Sequence, residues 1–116
     1  MGSNYDALQT EEIGAVFIAW AGGVPSLESS LGFIAGAPTV QDVAAGIVSV
    51  TLPAAGSIPN NRFLPTVTAR GPLYAVVMFD DANSTNTLKQ FRVFDAAGAP
   101  LDNIPLLIEF RRALTL

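Results

Sequence analysis

The sequence predicts an all-β protein, an antiparallel β-sandwich or jelly roll of about seven strands with room for one short helical turn. Three observations predict it. Short runs rich in Val, Ile, Phe and Thr recur between clusters of Gly, Pro and Asn, which is the spacing of sandwich strands and their turns. Several runs alternate apolar and polar residues with a period of two, the pattern of a strand with one buried face. Helical periodicity, with apolar residues at i, i+3, i+4 and i+7, is hard to find along the chain.

The strand candidates, in order, are residues 13–21, 31–35, 46–52, 63–69, 73–79, 89–94 and 104–110. In the first, Val16, Ile18 and Trp20 oppose Ile13, Ala15 and Phe17, so both faces are apolar. The same run ends in Ala19-Trp20-Ala21, which has the spacing of a signal-peptidase site. The residues before it carry Asp6, Glu11 and Glu12 and no base, whereas a secretory leader is positive there. The run is also far short of the roughly 20 residues that a helix needs to cross a bilayer, so a buried strand is expected.

Residues 27–42 are less regular. Ser26-Leu27-Glu28-Ser29 and Thr39-Val40-Gln41-Asp42 each begin with a residue that caps helices well, so each is a candidate single helical turn. From residue 46 the alternation is clear. Val48, Val50 and Leu52 point one way, and Ser49 and Thr51 the other; later Ile104, Leu106, Ile108 and Phe110 share a face opposite Leu107, Glu109 and Arg111. Residues 73–79 are again apolar on both faces, with Leu73, Ala75, Val77 and Phe79 on one side and Tyr74, Val76 and Met78 on the other. Such a strand is either covered twice or meets a second subunit. Pro65 and Pro105 would interrupt a central ladder, which places their strands at sheet edges or at bulges. Pro53-Ala54-Ala55-Gly56, Pro59-Asn60-Asn61, Arg70-Gly71-Pro72, Asp80-Asp81-Ala82-Asn83 and Asp95-Ala96-Ala97-Gly98 supply turns. Residues 1–12, polar and acidic, read as a flexible N-terminal arm ahead of a single domain over 13–116.

The composition excludes much chemistry. The 116 residues include no Cys and no His, which removes disulfides, cysteine-based zinc sites and every Ser-His-Asp or Cys-His triad. Half of the residues are hydrophobic and only 14% are charged, against roughly 25% in an ordinary soluble domain. A chain with so little charge has much apolar surface to cover, and covering it with copies of itself is the expected solution. All six basic residues lie from Arg62 onward, whereas Asp6, Glu11, Glu12, Glu28 and Asp42 precede it, and the net charge is −4. A nucleic-acid binder needs a clustered basic face, and the isolated Arg111-Arg112 pair is not one. Neither a nucleic-acid nor a membrane partner is expected.

The search for a site returns little. Asp80-Asp81 with Asn83, Ser84 and Thr85 forms an oxygen-rich loop, but it lacks the Gly and the twelfth-position Glu of a calcium-binding loop, so a solvated hairpin turn is expected and no metal. Gly32-Phe33-Ile34-Ala35-Gly36 lacks the Gly, Lys and Thr of a nucleotide loop. No catalytic residue and no cofactor are expected, and the chain reads as a non-enzyme. The residues set apart as interface candidates are Trp20, Tyr74, Val76 and Met78.

Over residues 46–110 the sequence resembles β-sandwich modules in structural proteins of tailed bacteriophages. The resemblance rests on Gly46-Ile47-Val48-Ser49-Val50-Thr51-Leu52, then Tyr74-Ala75-Val76-Val77, then Phe91-Arg92-Val93-Phe94-Asp95-Ala96-Ala97-Gly98 with Asp102, then Leu107-Ile108-Glu109-Phe110. It departs from that pattern at Val48, where an aromatic is common, and throughout the first 45 residues. The resemblance implies a virion protein: a capsid decoration or fibre component that forms a homotrimer and contacts other virion proteins. A receptor- or carbohydrate-binding module is the competing expectation, with Tyr5, Trp20 and Tyr74 as the stacking residues.

Overall fold

A computed structural model describes residues 9–71 and 74–114. Eight strands are present among them: β1 (Thr10–Ala21), β2 (Val24–Leu31), β3 (Thr39–Ala44), β4 (Ile47–Thr51), β5 (Thr66–Ala69), β6 (Val76–Phe79), β7 (Leu88–Phe94) and β8 (Leu106–Ala113). They form two four-stranded antiparallel sheets, β2-β1-β8-β5 and β3-β4-β7-β6. The all-β sandwich expected from the alternation is the observed architecture. No helix among the described residues is long and apolar enough to cross a membrane.

The core is filled from both sheets by the residues that the alternation put in phase. Val48, Val50 and Leu52 are buried, as are Ile104, Leu106, Ile108 and Phe110, and they pack with Val16, Ile18, Phe91 and Val93. One end is closed by an aromatic group around Phe63, whose ring centroid lies 4.9 Å from Phe79 and 5.2 Å from Phe110. Phe33 joins from outside the sheets, meeting Phe110 edge-on at 5.5 Å. These separations and tilts are those that aromatic quadrupoles favour.

Five expectations are corrected. The segments starting at Ser26 and Thr39 are strands, β2 and β3, and not helical turns. Gly22 and Gly23 both take positive φ, 57° and 81°, a tight hairpin that lays β2 directly on β1 with Pro25 opposite Trp20, while a lone turn of helix there would have had no apolar stripe to bury. The strand expected at 31–35 ends at its first residue, because Gly32 turns the chain at φ 85° and sends Phe33 inward. The helical turns that do occur are three short 3-10 segments, Ala54–Gly56, Asn60–Arg62 and Asp81–Asn83. Thr10, Glu11 and Glu12 do not belong to an arm: they open β1 opposite Ala113, Arg112 and Arg111, and an Arg112–Glu11 ion pair joins the strands. Residues 1–8 lie outside the described residues. Finally, β8 is central although Pro105 precedes it, since the proline sits one residue ahead of the ladder; β5, after Pro65, is an edge strand as expected.

Candidate functional site

Of the four interface candidates, the structure brings three together. β6 is the last strand of its sheet, paired only with β7, and its residues alternate sides. Val77 and Phe79 lean on the core, with Ala75 just before them. Tyr74, Val76 and Met78 point out of the sandwich and are 70%, 43% and 51% exposed. Among the described residues no segment covers them, which favours the second of the two arrangements that an apolar strand allows, a contact with a neighbouring subunit. Leu73 lies outside the described residues. On the neighbouring strand Phe94 stands opposite Val76, and Arg92 opposite Met78. The arginine is engaged: its Nε donates to Asp80 at 2.7 Å.

Trp20 belongs elsewhere. It is partly buried and packs against the core, and its indole N–H is buried without an acceptor. A residue so placed packs within its own subunit, in the other sheet from Val76 and Met78. Of the three stacking candidates, Tyr5 lies outside the described residues, which leaves Tyr74 as the exposed one.

The oxygen-rich loop is spent on internal bonds. Asp80 Oδ2 accepts from Arg92 Nε, from Asn83 Nδ2 at 2.9 Å and from Gln90 Nε2 at 2.9 Å. The Arg92 hydrogen bond, helped by those of Asn83 and Gln90 and opposed by burial, holds the carboxyl down at about 2. Ser84 Oγ donates to the Asp80 carbonyl and accepts from the Gln90 N–H, and Thr85 Oγ1 accepts from the Leu88 N–H. Among the described residues no three His, Cys, Asp or Glu side chains gather as a metal site would require.

A second polar cluster was passed over in the sequence. Lys89 is fully buried, in phase with Phe91 and Val93 on the inner face of β7. Its ammonium lies at the closed end over the Phe63 ring, 4.9 Å from the centroid. There it donates to the Ile58 carbonyl, to Asn60 Oδ1 at 2.7 Å and to the Thr85 carbonyl at 2.8 Å, which uses all three of its N–H bonds. Asn60 Nδ2 in turn donates to the Ser84 carbonyl at 2.7 Å. Burial pushes the ammonium down from 10.5 to about 8, with the attraction of Asp81 acting the other way. The signal was legible, since a lysine two and four positions before buried residues of one strand shares their face.

A concavity of about 450 Å³ lies at the same end between Glu12, Ile13, Ile34, Gly56, Ile58 and Arg112. Its arginine is held by Glu11, and the other polar side chains that line it are Glu12 and Ser57. Comparison with protein families, with curated proteins and with solved structures finds no match.

Proposed function

We propose that this chain is a structural module whose task is to assemble with copies of itself, and that the assembly decorates a capsid or forms part of a fibre on a virion. The observation that carries the assembly is the exposed Tyr74, Val76 and Met78 row along an edge strand that has a partner on one side only among the described residues. Monomeric proteins seldom leave contiguous apolar surface on an open edge, because such an edge is a template for pairing. The low charge of the whole chain supports the same reading. The virion setting, and three as the number of copies, come from the strand-by-strand resemblance to phage modules.

Val76→Lys tests the assembly. In solution the isolated subunit keeps the new ammonium hydrated, whereas a contact would strand it among apolar groups at a cost of about 3 kcal/mol, or roughly 100-fold in association. The variant is expected to be folded by circular dichroism and to have the mass of a monomer by light scattering, while the parent is oligomeric. A parent that is monomeric at tens of micromolar, or a folded variant that associates as the parent does, refutes the reading.

A further inference from the structure

The sandwich has two narrow sides, and they differ. On one, β2 and β3 are the edges, and they pack against each other. Both carry the features that keep an edge from pairing with another chain: Pro25 and Glu28 in β2, Asp42 in β3, and a register shift in each ladder. On the other side the edges are β5 and β6, which touch only sparsely. Neither strand contains a charged residue, a proline or a register shift. The inner-face residues along this seam, Val67 and Ala69 on β5 and Val77 and Phe79 on β6, are only half-buried, whereas Val16, Val48 and Ile108 in the middle of the sheets are sealed.

The connection between the two edges, 70–75, is short, so β6 starts at the end of the sandwich where β5 stops and the two run in opposite directions. That arrangement has a consequence for a second copy. When two seams meet about an axis parallel to the strands, β5 of each copy lies beside β6 of the other, antiparallel, and both edges of both copies are paired at once. A pairing of β6 with β6 and β5 with β5, about an axis perpendicular to the sheets, closes only a dimer, whereas β5 with β6 also closes the ring of three that the assembly reading expects. An occupant with charged or polar side chains would gain nothing from the half-buried Val67, Val77 and Phe79, whereas a copy supplies the same apolar residues in return.

We propose that the β5–β6 side is where neighbouring copies join, β5 of one pairing with β6 of the next, so that the sheets run on from copy to copy. The inference rests on the assembly reading and says which strands meet. The pairing is heterologous strand by strand, and it closes a pair about a two-fold axis or a ring of three alike.

The chain has no cysteine, so introduced thiols are unambiguous. Thr68→Cys on β5 and Met78→Cys on β6 both alter exposed side chains and leave the core intact. Single variants, one lengthened by a tag, are mixed, exchanged and treated with a short bis-maleimide. The expected result is a mixed Thr68→Cys with Met78→Cys product that dominates, with like-with-like products lost. An oligomer that yields only like-with-like products, or none, overturns the strand assignment and leaves assembly standing. A monomer by light scattering that yields no product overturns both.

Discussion

Replacing Lys89 by Met isolates the buried ammonium at the closed end of the sandwich. The methionine stem fills nearly the same space, so the change removes a charge and three donors without opening a large cavity. Two opposing effects set the result. The Ile58 and Thr85 carbonyls and Asn60 Oδ1 lose their donor, and an acceptor left unpaired in a buried place costs about 1–3 kcal/mol. Asn60 retains part of its bonding through Nδ2 to Ser84, which keeps its share at the low end. Against this, the folded state no longer holds a desolvated ammonium, a relief on the order of 3 kcal/mol for a group moved from 10.5 to about 8. The losses exceed the relief by about 2 kcal/mol, or roughly 8 °C in Tm for a domain of this size. Thermal unfolding followed by circular dichroism at pH 7 measures it. A variant as stable as the parent, or more so, would show that the three hydrogen bonds only compensate the cost of burying the charge.

Two further expectations concern the same chain. Between pH 8 and 10.5 the unfolded chain holds the Lys89 proton that the folded chain has already released, so stability rises with pH across that window; Asp80, lowered from 3.8 to about 2, adds stability that is present above pH 4 and fades as pH falls toward 2. Urea unfolding at a series of pH values in parent, Lys89→Met and Asp80→Asn checks both, and a variant that keeps the parent's slope in its window removes that residue from the account. Gly46→Ala should be far worse than Gly98→Ala, although both glycines have positive φ, 67° and 86°. A Cβ at Gly46 would lie 2.7 Å from the Val93 carbonyl oxygen and 2.9 Å from the Leu101 nitrogen, while one at Gly98 meets nothing within 4 Å. Backbone strain alone costs about 1–2 kcal/mol, so the Gly46 variant should lose at least twice that, and equal midpoints in urea would contradict it.

What the sequence revealed follows from how local each signal is. The inner strands β4 and β8 were readable because burial of one face imposes alternation on consecutive residues, as in Val48, Val50 and Leu52. The edge strands β2 and β3 were not, since exposure on most sides leaves Ser26, Glu28 and Gln41 no reason to alternate with apolar neighbours, and their capping residues then suggest helix. Thr10 to Glu12 read as an arm because what makes them a strand is Arg111 and Arg112, about a hundred positions away in the chain. The candidate surface was readable in part. Two-sided apolarity marked Tyr74, Val76 and Met78, but nothing in a run of apolar residues tells that Trp20 folds against the core while Tyr74 stands outside it. Lys89 carried its own signal in the phase of β7 and was hidden by the ordinary expectation that lysine lies outside.

The pairing of β1 with β8 also determines how the sandwich bears load. The two strands run antiparallel, and the Leu114 N–H bonds to the Gln9 carbonyl at 2.8 Å where they begin and end. Tension applied between Gln9 and Leu114 therefore acts across the ladder, at its tip, and would part the cross-strand bonds one after another, like a zipper. Strands pulled along their length must instead break many bonds together. Anchored at those two points, the domain would yield at low force; held through β5 and β6, the same fold would present its sheets edge to edge and leave that ladder unloaded.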